Sequence, residues 1–79
     1  MNALANRAEA AGVLAYFIAT ECERGAEMAC TPGQLHEAYA AYCAQRSQQP
    51  LTFEQFMEEA RRLLPGARGR VWRGIGLPT

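Results

Sequence analysis

Apolar residues recur at steps of three and four along the first third of the chain. Ala10, Leu14, Phe17, Ile18 and Cys22 fall on this repeat, which is the spacing of a helix with one buried face. The pattern predicts a helix from Leu4 to about Arg24, with Gly25 as its stop. A second stripe, Leu35, Ala38, Tyr39, Tyr42 and Cys43, follows Thr31-Pro32-Gly33-Gln34. That tetrapeptide is a helix start: Thr31 caps, Pro32 suits the first helical position and Gln34 closes a capping box. The second helix is expected to end near Arg46, before the polar connector Ser47-Gln48-Gln49-Pro50. Thr52-Phe53-Glu54-Gln55 repeats the box. Phe53, Phe56, Met57, Ala60, Leu63 and Leu64 then form a third stripe, which Pro65-Gly66 stops.

Two stretches do not fit a helical period. Met28–Cys30 is too brief for a helix and reads as a short strand. After Pro65-Gly66 the period changes to alternation. Val71, Arg73, Ile75 and Leu77 interleave with Trp72, Gly74 and Gly76, predicting a strand with one mostly apolar face. So short a strand needs a partner, and the candidates are Leu64–Arg68 and Met28–Cys30. The predicted order is helix, strand, helix, helix, hairpin. This is a mainly α fold with a small β-hairpin (α+β), in the order of a winged helix-turn-helix whose wing follows the last helix. One such domain fills residues 1–79, with 1–5 and 78–79 expected to be flexible.

Composition narrows the function classes. With 79 residues the chain can build one modest core and has little room for a deep substrate cavity. A binding or interaction module is expected, not an enzyme, and no catalytic residue is assigned. No apolar run reaches the roughly 18–20 residues of a membrane span. The start MNALANRAEAAGVLAYF lacks a signal-peptide layout, so a cytoplasmic protein is expected. Cys22, Cys30 and Cys43 are odd in number, which argues against a disulfide framework in that compartment. Together with His36 they match no paired zinc-ligand spacing. They are read as small buried hydrophobes, and His36 as a solvated side chain. No metal or cofactor is expected. Tyr16, Tyr39, Tyr42 and Trp72 are read as core aromatics.

Charge is the feature the net value hides. The formal net charge is zero, and the chain has neither lysine nor aspartate. Residues 1–60 carry three arginines (Arg7, Arg24, Arg46) against eight glutamates, a net of −5. Residues 61–79 carry five arginines (Arg61, Arg62, Arg68, Arg70, Arg73) and no acid, a net of +5. Such an asymmetry suits an anionic partner at one end of the molecule. Arginine's planar fork matches phosphate and guanine edges.

The stretch LHEAYAAYCAQRSQQPLTFEQFMEEARRL followed by RVWRGIGL resembles the small winged-helix domain at the C-terminal end of phage and plasmid primase-helicases of the poxvirus type. Leu35, Tyr39, Tyr42, Cys43, Leu51, Thr52, Phe56, Trp72, Gly74, Ile75 and Leu77 carry the likeness, together with Phe17 and Glu21-Cys22 in the first helix. It covers about residues 14–77. The resemblance implies a winged-helix fold and duplex-DNA binding, as in the small regulators of transcription or replication on plasmids and phages. It implies neither primase nor helicase activity, since no Walker-type glycine loop is present.

The expected DNA-binding residues are Arg61 and Arg62 at the end of the third helix, Arg68 and Arg70 on the wing, and Arg73 in the strand. Thr52 and Gln55 stand at the start of the helix that would enter the major groove, with Gln49 in the turn before it. Glu54, Glu58 and Glu59 lie on the same helix and oppose phosphate, unless paired internally as Glu58–Arg62. The alternative function is a protein–protein adaptor docking through this glutamate-bearing helix. A homodimer through the alanine-rich first helix, which would present two wings to palindromic half-sites, and a larger replication or regulatory protein are further expected partners. A DNA-bound copy would be associated with the nucleoid.

Overall fold

The computed structural model describes residues 7–78. The elements are α1 (Arg7–Thr20), β1 (Glu23–Cys30), α2 (Pro32–Gln45), α3 (Phe53–Leu63) and β2 (Trp72–Gly76). Three helices and one antiparallel strand pair make a small α+β fold. The expected start of the first helix at Leu4 and the expected flexibility at 1–5 and 79 lie outside the described residues, whereas Pro78 is described.

α1 buries Ala10, Leu14, Phe17 and Ile18, the stripe that the periodicity marks. It ends earlier than expected, at Thr20, whose hydroxyl donates back to the Tyr16 carbonyl at 2.8 Å. Gly25 is therefore not its stop. Arg24 and Gly25 belong to β1, because strand pairing outweighs the local helical tendency there: Arg24 lies opposite Ile75. Tyr16 is exposed rather than in the core (59% accessible), since it lies on the side of α1 away from the buried stripe.

α2 and α3 both start at the predicted boxes. Thr31 Oγ1 accepts from Gln34 N at 3.1 Å while Gln34 Oε1 accepts from Thr31 N at 3.0 Å. Thr52 and Gln55 make the same reciprocal pair at 3.2 and 3.1 Å. Each box satisfies amide donors that a helix start leaves over. Ser47 turns the chain out of α2 with φ 55°.

Of the two candidate strand partners, the one around Met28–Cys30 is used. It is longer than expected, eight residues, and pairs with β2 in the register Glu23↔Gly76, Arg24↔Ile75, Ala29↔Arg73 and Cys30↔Trp72. Leu64–Arg68 forms turns instead, so the chain between α3 and β2 is a loop and not the first strand of a wing. Residues Gly25 to Met28 oppose Gly74 alone, a wide bulge. Gly74 has φ 85°, and its carbonyl accepts from Arg24 Nε at 3.3 Å. The bulge breaks the expected alternation. Trp72 and Ile75 both point into the core, while Val71 is exposed.

The core is a chain of rings between layers. Trp72 of β2 stacks on Phe56 of α3 (centroids 5.9 Å apart, planes at 14°). Phe56 stacks on Tyr39 of α2 at 5.9 Å, and Phe17 of α1 tilts against Tyr39 and Tyr42. Tyr39 of α2 also ties α1 and the connector before α3 by hydrogen bonds. Its hydroxyl accepts from Leu51 N at 3.0 Å and donates to the Ala10 carbonyl at 3.3 Å. Phe53 and Leu63, expected in this core, are largely exposed. They lie in the first and last turns of α3, beyond the core that Phe56, Ala60, Leu64 and Ala67 close. Among the described residues, no helix is long and apolar enough to cross a membrane.

Candidate nucleic-acid interface

α3 and the loop after it carry most of the charged residues singled out by the sequence. The helix has an acid in its first turn, Glu54, and Arg61 and Arg62 in its last, the arrangement its dipole favours. Pro65 and Gly66 then end it. Two tight backbone bonds, Ala67 N to the Leu64 carbonyl at 3.2 Å and Arg68 N to the Gly66 carbonyl at 2.9 Å, fold the loop back toward the helix end. Gly69 takes φ 73°, open to glycine at no steric cost.

This turn brings Arg61 and Arg68 to one half-open groove of about 440 Å³, lined also by Leu64, Pro65, Ala67 and Gly69. Arg70 and Arg73 are exposed outside it. Arg62 points to Glu59, with Nη1 to Oε1 at 4.0 Å. Among the described residues, Arg61, Arg68, Arg70 and Arg73 have no ion-pair partner. Thr52 and Gln55 lie toward the opposite end of this 11-residue helix, about 14 and 9 Å from Arg61 along the axis at the helical rise. Their side-chain oxygens are engaged in the capping box. Gln49 is exposed in the connector at that same end.

The glutamates of α3 are not paired as expected. Glu58 does not bond Arg62. It forms an ion pair with Arg7, the first residue of α1, and the same guanidinium reaches Glu59 at 3.3 Å. The hydrogen bond from Arg7 is the main reason that the Glu58 carboxyl titrates below its ordinary value, and the bond to Glu58 likewise raises Arg7. Two of the three acids on the helix thus carry a local counter-charge.

Arg7, Pro65-Gly66 and His36 also bear on the site, in roles the sequence does not signal. Arg7 gave no local signal, because its partners are 51 and 52 positions away. Pro65-Gly66 was legible only as a helix stop. His36, expected to be solvated, is half-buried. Its Nε2 is 3.1 Å from the Leu51 carbonyl, and its ring packs edge-on against Phe53 and Phe56. His36 thereby braces the entry to α3.

The cysteines are free thiols. Burial pushes the Cys22 thiol up to about 12 and raises Cys30 and Cys43 as well, so all three are poor nucleophiles at neutral pH. Among the described residues, no three His, Cys, Asp or Glu side chains gather into a set able to hold a metal ion. Comparison with protein-family models, with curated proteins and with solved structures returns no match.

Proposed function

We propose that this chain is a winged-helix-type module that binds duplex DNA, acting in the control of transcription or replication on a plasmid or phage. The observation that carries the proposal is the separation of charge around α3. Arg61, Arg68, Arg70 and Arg73, which have no ion-pair partner among the described residues, occupy the helix end, the loop and β2, while Arg7 counters Glu58 and Glu59. Phosphate contacts by such residues give affinity without sequence preference. Sequence reading would fall to the exposed face of α3, with Thr52, Gln55 and Gln49 at its start.

The test is fluorescence anisotropy of a random-sequence duplex titrated at several salt concentrations. Micromolar or tighter binding with a steep salt dependence is expected, and Arg68→Ala with Arg70→Ala should lower the salt slope by about 2. No binding at low salt would sink the proposal. The second reading, a protein adaptor, draws on Phe53 and Leu63, which stand 44% and 41% accessible on α3. In that case DNA affinity is negligible at physiological salt, and reversing Glu58 and Glu59 to arginine abolishes capture of the partner.

A further inference from the structure

We infer that the groove between the end of α3 and the following loop is a subsite for one sugar–phosphate unit of a DNA strand, its phosphate held jointly by Arg61 and Arg68. This rests on the DNA-binding reading above and adds to it a place and a stoichiometry. The helix contributes Arg61 and the loop contributes Arg68, and both line the same space. Neither guanidinium has an ion-pair partner among the described residues, so both are available to a ligand. Among the described residues, no carboxylate lines the groove. Its floor is Leu64, Pro65 and Ala67, which suits the apolar face of a sugar. A volume of about 440 Å³ lies at the low end of the roughly 300–1,000 Å³ range of small-ligand sites, the scale of a single nucleotide unit. The half-open shape lets a strand enter and leave.

One force opposes an anion here. The groove lies at the C-terminal end of α3, where the helix dipole places roughly half a negative charge. Two full positive charges outweigh it. Among the described residues the charged side chains at the groove are both arginines, and its apolar lining of Leu64, Pro65 and Ala67 suits a sugar rather than a polar base edge, so the contact is assigned to the backbone. Gly66 is the positioning residue: it packs against the Arg73 carbonyl and so fixes the loop that carries Arg68.

Two arginines on one phosphate differ measurably from two arginines on two phosphates. Arg61→Gln, Arg68→Gln and the double variant are compared on a labelled random-sequence duplex, with Arg70→Gln/Arg73→Gln as the reference pair and thermal melts to confirm folding. Each single substitution in the groove is expected to weaken binding by about tenfold or more, the scale of one charged hydrogen bond. The groove double variant should lose clearly less than the product of the two singles. Its salt slope should fall by about 1, against about 2 for the reference pair. Pro65→Glu, which keeps every arginine and places a carboxylate at the groove, should weaken binding at least as much as one groove substitution. Independent losses at Arg61 and Arg68 with a slope change of about 2 would overturn the shared subsite and leave the DNA reading standing. A wild-type chain that binds no duplex at low salt overturns both.

Discussion

Gly66 packs against the backbone carbonyl of Arg73 so closely that a β-carbon added at residue 66 would lie far inside van der Waals contact with that oxygen. The loop after α3 and strand β2 are thereby locked together across a gap only glycine fits. The position of Arg68 relative to Arg61 depends on this contact.

Gly66→Ala is therefore expected to lower stability by about 1–3 kcal/mol, the usual cost of forcing a methyl group into a filled space. DNA affinity should fall with it. Gly69→Ala is the contrast. Its β-carbon meets nothing within 4 Å and carries only the strain of φ 73°. Urea denaturation and anisotropy on both variants check this. Equal stabilities for Gly66→Ala and wild type would show that the loop moves freely.

Tyr39 is fully buried, and its hydroxyl serves both the Leu51 amide and the Ala10 carbonyl. Tyr39→Phe keeps the ring stacking and removes the hydroxyl. A buried amide then loses its acceptor, with an expected cost of about 1–3 kcal/mol. The denaturation midpoint should drop with an unchanged slope against urea.

Stability should fall in alkali. Burial pushes the Tyr39 hydroxyl and the Cys22 thiol each up to about 12, and it raises Cys30 and Cys43. In the unfolded chain these groups ionise at ordinary values, roughly 8.5 for a thiol and 10 for a phenol. Between the two sets of values the folded chain holds protons that the unfolded chain has lost, so stability decreases as pH rises. It should be unaffected by these groups below about pH 8 and decline from about pH 9 upward. Urea midpoints under reducing conditions across that range test it, and a level profile to about pH 11 would contradict the burial of these groups.

Arg7→Gln should weaken DNA binding at low salt although Arg7 is remote in sequence from the basic segment. The substitution frees Glu58 and Glu59 to repel phosphate. The loss should vanish at high salt, where exposed charges are screened. Adding Glu58→Gln and Glu59→Gln should restore affinity. A triple variant that binds no better than Arg7→Gln would place these acids away from the DNA.

Much of the architecture is local chemistry and was legible. The two capping boxes at Thr31–Gln34 and Thr52–Gln55 are set by residues three apart, and both helices begin where those side chains dictate. The buried stripes of α1 and α2 follow from helical period. The uneven charge was legible too: all five arginines of residues 61–79 stand in a segment with no acid.

What the sequence left open depended on distant partners. Periodicity carried α1 through Arg24, but pairing of Arg24 with Ile75 makes that stretch a strand. Alternation assigned Val71 to the apolar face, but the bulge opposite Gly74 turns Trp72 and Ile75 inward together. Helical spacing suggested Glu58–Arg62, but Arg7 arrives from another helix and takes Glu58. The groove joining Arg61 to Arg68 rests on Gly66 meeting Arg73. The sequence by itself determined where α2 and α3 begin, the buried stripes of α1 and α2, and where the positive charge lies, because those are properties of near neighbours. Tertiary structure alone decided strand partners, the counter-ions of α3 and which arginines share a groove, because each depends on residues brought together only when the core closes.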